Sequence, residues 1–153
     1  ILKGTWKLTN GVLDGVSTGE GLIYAGNSAW TDYHLRTRVK IAPDSTYPEA
    51  AFVVRFKDSG NFYWLGLGCW RHRVSISRMV SGTPQELVYA GAESEVVRDR
   101  WYNLEVVVKG DLLQLYVDGV LELETRDSTH PTGAIGIRPW SSHVQVDYVE
   151  AYM

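Results

Sequence analysis

Cysteine is almost missing from this chain: Cys69 stands alone among 153 residues, so no internal disulfide can form and the small disulfide-stapled scaffolds are excluded. Cys69 is either a small buried apolar residue or a free thiol, which leaves the redox compartment open. Long apolar runs are missing too. Nothing approaches the roughly 18 residues of a membrane-spanning helix, and no charged-then-apolar leader precedes the first strand-like segment; no membrane partner is expected. The chain starts at Ile1, which sets the expectation of a processed or excised domain from a longer protein. Helical periodicity is absent, because no stretch longer than about ten residues keeps the i, i+3, i+4, i+7 spacing of an amphipathic helix. Excess charge of one sign is scarce. The formal net charge of −3 offers little counterion release to a polyanion, so no nucleic-acid partner is expected. Residues 31–80 carry eight Lys/Arg against four Asp/Glu, and residues 81–153 five against twelve, but neither block is a charged tract.

What is present is β structure. The composition, 44% hydrophobic and 22% charged with 15 Gly, 6 Trp and 9 Tyr, suits one globular domain over residues 1–153. Tyr33, Leu35, Thr37, Val39 and Ile41 alternate with Asp32, His34, Arg36, Arg38 and Lys40, the mark of a strand with one dry and one wet face. Asn10-Gly11, Asp58-Ser59-Gly60-Asn61, Gly110-Asp111 and Asp118-Gly119 supply hairpin turns. Short strands are predicted near 6–9, 12–15, 21–24, 33–41, 50–57, 62–70, 73–80, 86–90, 101–109, 112–118, 120–125, 134–138 and 143–152. That many strands without helices predicts an all-β fold, a two-sheet antiparallel β-sandwich or jelly roll.

Residues 50–80 carry the most information about a site. A turn at 58–61 pairs residues whose numbers sum to 119, and a turn near 71–72 pairs those that sum to 143. One face then collects Phe52, Val54, Phe56, Tyr63, Leu65, Leu67, Val74 and Ile76, a core. The other collects Ala51, Val53, Arg55, Phe62, Trp64, Gly66, Gly68, Trp70, Arg73, Ser75, Ser77 and Met79. This second face predicts a trough floored by small residues at Gly66 and Gly68, with Trp64 beside Arg55 at one end and Trp70 beside Arg73 at the other, about 20 Å apart. Strand glycines are kept where a ligand or another backbone comes close. A sugar ring suits such a surface, since its C–H face packs on indole while Arg forks donate to its oxygens. The competing reading puts Trp64 and Trp70 in the sandwich core. The turn Arg71-His72-Arg73 and the loop residue Trp140 complete the candidate carbohydrate-binding set, whereas Trp6, Trp30 and Trp101 precede strands and are read as packing residues.

Catalytic patterns are weak. Glu86, Glu93 and Asp147 are scattered carboxylates with no evident partner across a site, and no H-E-x-x-H, G-x-S-x-G, P-loop or CxxC pair occurs. The four histidines lack metal-ligand spacing. No cofactor is required, although a structural calcium could draw most of its oxygens from carbonyls, with Asp147 as the candidate carboxylate.

The succession Gly4-Thr5-Trp6, Asn10-Gly11-Val12-Leu13, Thr31 to Val39, Ala51-Phe52-Val53-Val54-Arg55-Phe56, Gly60 to Trp64, Arg100 to Leu104, Leu115 to Gly119 and Gly133 to Ile137 resembles the concanavalin A-like jelly rolls over essentially the whole chain. Within them it is most similar to modules appended to secreted glycoside hydrolases, notably the fructan-binding type beside levanases, and to keto-disaccharide hydrolase-like domains. The resemblance implies a secreted, monomeric, non-catalytic module that binds a polysaccharide or oligosaccharide for a tethered catalytic domain, with Arg55 on the ligand face. Laminarinase-like members carry an E-x-D-x-x-E strand, which this sequence lacks. Two alternatives stand beside it: a keto-disaccharide hydrolase or lyase with a carboxylate close to Arg55, and a laminin-G-like adhesion domain.

Overall fold

The computed structural model describes residues 3–153. Among them lie thirteen strands: β1 (Thr5–Thr9), β2 (Val12–Val16), β3 (Ile23–Ala25), β4 (Tyr33–Ile41), β5 (Ala50–Asp58), β6 (Asn61–Leu67), β7 (Val74–Val80), β8 (Thr83–Ala90), β9 (Trp101–Lys109), β10 (Leu112–Val117), β11 (Val120–Arg126), β12 (Ala134–Arg138) and β13 (His143–Tyr152). Two single 3-10 turns, Cys69–Arg71 and Glu93–Glu95, interrupt them. A seven-stranded sheet runs β1-β2-β13-β4-β9-β10-β11, and a six-stranded sheet runs β3-β12-β5-β6-β7-β8. Late strands slot between early ones, β13 beside β2 and β4, and β12 beside β3 and β5, always antiparallel. This is the jelly-roll sandwich that the alternation predicts.

The sheets meet on one continuous core, in which Leu35, Val39 and Ile41 of β4 and Val106 and Val108 of β9 face Phe52, Val54, Tyr63, Leu65, Leu67, Val74 and Ile76 of β5, β6 and β7. Each such side chain contributes about 1.5–3 kcal/mol by leaving water. A second, smaller apolar cluster lies on the outer face of the six-stranded sheet: Ala51, Val53, Phe56, Phe62, Trp64, Cys69, Met79 and Ala134 with Leu22. An outward sheet face normally alternates to polar residues; this one is half covered by loops.

Register departs from the predicted pairing twice. At the 58–61 turn Asp58 pairs Asn61 as expected, but a bulge between Val54 and Asp58 then shifts the ladder, so that Val53 faces Trp64 and Ala51 faces Gly66. Arg55 sits in the bulge with φ 49, and the irregularity exchanges the faces of Arg55 and Phe56. Phe56 joins the outer cluster and Arg55 turns inward. At the next connection Leu67 pairs Val74, because residues 68–73 form a longer turn closed by the Gly68 amide donating to the Arg73 carbonyl at 3.1 Å. Trp70 therefore does not extend β6.

Candidate functional site

Five connections gather over the outer face of the six-stranded sheet. The 17–22 and 139–142 segments are laced by the Gly21 amide to the Pro139 carbonyl at 2.9 Å and the Ser141 amide to the Gly19 carbonyl at 2.8 Å. Ser142 Oγ donates to the Glu49 carbonyl at 2.8 Å, tying in the 42–49 loop. The 68–73 turn and the Glu93–Glu95 turn close the group. Together with β6 and β7 they enclose an open depression of about 860 Å³, lined at one end by Glu20, Glu49, Trp64, Trp70, Arg138 and Trp140, and reaching Ser59, Gly82 and Pro84 at the hairpin end of the sheet.

The indoles are its main apolar surface. Trp64 is 2% exposed and stacks under Trp70, with ring centroids 6.3 Å apart and planes 23° from parallel. Trp70 is 44% exposed and Trp140 41%. Trp70 has φ 57, and Arg71 beside it φ 64; this left-handed pair folds the indole back over the sheet. A hydrogen-bonded series fixes it there: Trp70 Nε1 donates to Ser77 Oγ at 2.9 Å, Ser77 Oγ lies 3.2 Å from Ser75 Oγ, and Ser75 Oγ donates to Glu86 at 2.7 Å. His72 Nδ1 meets the same Glu86 oxygen at 2.9 Å.

Charge in the depression centres on Arg138. Its Nε donates to Glu20 at 2.8 Å, and its guanidinium carbon lies 4.7 Å from the Trp64 ring centre and 5.2 Å from that of Trp140. Burial pushes the Glu20 carboxyl up, but hydrogen bonds from Lys3 and Arg138 outweigh it and hold the group below its ordinary value. Glu49 differs. It is 7% exposed, and burial raises its carboxyl to about 7 against the pull of Arg138.

The structure brings Trp64, Trp70, Arg71 and Trp140 of the predicted set together around the depression and places the others elsewhere. Arg55 is a correction. Its guanidinium lies in the interior, donating to the carbonyls of Thr31 at 2.9 and 3.1 Å, Gly110 at 2.6 Å and His130 at 3.1 Å and to the Asp32 carboxylate at 3.4 Å, so its donors are spent within the fold. Arg73 points away to pair with Glu122 of β11 at 3.0 Å. Asp147 pairs with Arg38 at 3.3 Å, and among the described residues no three carboxylate, imidazole or thiol groups cluster as metal ligands. The glycines also answer to backbone: a Cβ on Gly66 would lie 2.2 Å from the Ala50 carbonyl oxygen, and one on Gly68 2.0 Å from that of Pro48. The two tryptophans are a stacked pair, with Ser75 and Ser77 buried beneath Trp70. Sequence reasoning missed Glu20 and Glu49, which lie on two distant connections, and Arg138 at the end of β12. Only Arg138 carried a local signal, since it shares strand parity with Ala134 and Gly136 and pairs Ala51 on the trough face.

Fold and site together define a jelly-roll domain with one sheet face open and lined by indoles. The chain belongs to the 3-keto-alpha-glucoside-1,2-lyase-like domain family, whose pattern it matches over residues 2–150. It is similar to an extracellular exo-alpha-L-arabinofuranosidase of Streptomyces chartreusis, 32% identical over 121 residues, which is 76% of this chain and 14% of the relative. It is also similar to a levanase of Bacillus subtilis (strain 168), 23% identical over 142 residues, 92% of this chain and 20% of the relative. Its fold matches that of the carbohydrate binding module CBM66 from Bacillus subtilis with a TM-score of 0.90 at 20% identity, covering 99% of this chain and 92% of that one. The chain thus spans a small part of the enzymes it resembles. Among the described residues no helix is long and apolar enough to cross a membrane.

Proposed function

We propose that this domain is a non-catalytic carbohydrate-binding module that holds a polysaccharide for an attached, secreted glycoside hydrolase. The observation that carries the reading is the open depression with Trp70 and Trp140 both exposed into it and Trp70 locked in place by Ser77. A preset indole platform stacks on the C–H face of a sugar ring without first losing side-chain freedom. Tethering then raises the concentration of substrate near the catalytic domain, so each site needs only modest affinity. The module acts as a monomer and without a metal, so chelation leaves binding unchanged.

Affinity electrophoresis tests this with levan and arabinan, the polymers to which the relatives' names point, both built of furanose rings. One of them retards the unaltered domain, and Trp70→Ala or Trp140→Ala weakens that retardation at least roughly tenfold, the scale of one lost stacking contact. Unretarded migration in both gels, or retardation indifferent to both substitutions, overturns the reading. A second reading, carbohydrate cleavage, is favoured by the near-neutral carboxyl of Glu49 in the same depression; it requires new reducing ends or unsaturated product to appear on incubation.

A further inference from the structure

Glu49 lines the depression, yet among the described residues no nitrogen or oxygen donor hydrogen-bonds its carboxyl group. Its neighbours come from every element packed there. Arg138 at the end of β12 attracts it, Glu93 of the second 3-10 turn repels it, and the Cys69 thiol of the 68–73 turn lies beside it. Arg138 is already matched to Glu20, and Glu20 also takes Lys3 at 2.8 Å. Cys69 is a weak donor and lies 3.7 Å from the Leu67 carbonyl. Among the described residues only Ser17 Oγ is a sealed side-chain oxygen without a partner, so the Glu49 carboxyl, which takes no nitrogen or oxygen donor, stays open to the depression, where a ligand can complete it.

Resting on the saccharide reading, we propose that the Glu49 carboxylate is the hydroxyl acceptor of the depression, so that it selects neutral saccharides presenting two adjacent hydroxyls and rejects uronic acids and sulfated sugars. Two carboxylate oxygens accept two hydroxyl donors side by side, and bonds to an ionised acceptor are the strong ones. An anionic sugar instead meets the carboxylates of Glu49 and Glu93; of the three cations lining the depression, Lys3 and Arg138 are matched to Glu20, and Arg71 alone is left to offset them. Hydroxyl donors favour the charged form of Glu49, so binding expels a proton near neutrality and affinity rises with pH.

The test uses the domain with levan, arabinan and polygalacturonate, by affinity electrophoresis and by calorimetry in buffers of different ionisation enthalpy. Affinity of the unaltered domain for levan or arabinan rises roughly tenfold between about pH 5.5 and about pH 8.5, with proton release near pH 7, while polygalacturonate is not bound. Glu49→Gln, which keeps shape and removes the charge, binds weakly at both pH values and releases no proton. Equal binding by Glu49→Gln, proton-silent binding by the unaltered domain, or retention by polygalacturonate overturns the assignment of Glu49 while leaving the stacking platform standing. Absence of binding to every glycan overturns the saccharide reading itself and this inference with it.

Discussion

Arg55 has the chemistry of a binding residue and the environment of a structural one. At 2% exposure it is among the largest fully buried side chains, and its guanidinium ties the 31–32 segment, the β9–β10 turn and the 127–133 segment to β5. Its backbone amide donates to Tyr33 Oη at 2.6 Å, which holds the left-handed conformation that no propensity scale would assign to it. Arg55→Met keeps much of the volume but leaves three carbonyl oxygens without their donor. Of those acceptors only the His130 carbonyl belongs to a buried residue, and an unmet buried acceptor costs about 1–3 kcal/mol, so the variant should lose about 1–3 kcal/mol of stability in urea unfolding. Where the variant is still folded, its retardation by polysaccharide should match that of the unaltered domain; a selective loss of binding at unchanged stability would return Arg55 to the site. Its residue type and strand position suggested a ligand contact because the bulge that turns it inward depends on Tyr33, twenty-two residues away.

At the scale of elements, the strands were legible and the irregularities between them were not. Burial with period two leaves its print on β4, β9 and β10, whereas β5, β6 and β12 are buried on both faces and β1, β3 and β8 carry no buried residue, so apolar or aromatic content and flanking turn residues locate those. The bulge at 55–57 and the turn at 68–73 left no such print, since both rest on positive φ at Arg55, Trp70 and Arg71, where tertiary contacts overrule local preference. The turn matters most for the site, because it converts Trp70 from a strand residue into the lid of Trp64. Gly68 at its start has φ 74 with the Pro48 carbonyl against it, whereas Gly119 in the β10–β11 turn has φ 82 with open space around it. Gly68→Ala should therefore cost at least about 3 kcal/mol and disturb binding, while Gly119→Ala costs about 1 kcal/mol, the conformational penalty alone. Equal losses in parallel urea titrations would mean that contact with the 48–49 backbone does not shape the turn. The three residues missed at the site share one cause: the loops carrying positions 20 and 49 meet the end of β12 at position 138 only after crossover connections bring them over one sheet.

For the molecule as a whole, the depression is a source of instability whose sign follows from its titrating groups. Glu49 is raised to about 7 by burial, so its ionised form is less tolerated folded than unfolded, and stability falls as pH climbs from the ordinary carboxylate range through 7. His143 adds to this trend. Burial lowers its affinity for a proton, but hydrogen bonds to Asp14 and Asp44 outweigh burial and raise it, so its contribution is complete below about pH 6.5 and fades as pH rises through the raised folded value. Asp127 acts at the other end: burial opposes its ionisation, yet bonds from Tyr63, Thr129 and Arg78 bring it to about 2, giving stability above about pH 4 that is lost only on approach to pH 2. Thermal unfolding should therefore peak near about pH 5 and decline toward about pH 8. Glu49→Gln removes the site's share of that decline, raising stability at about pH 8 by on the order of 2 kcal/mol and flattening the profile to the opposed contributions of His143 and of His130, which burial holds below its ordinary value. A gain in melting temperature from the same substitution that weakens saccharide binding is the trade expected where a site keeps a charge that its fold would be better without. A variant less stable than the unaltered domain at about pH 8 would mean instead that the Glu49 carboxylate is satisfied within the fold, with nothing left to offer a ligand.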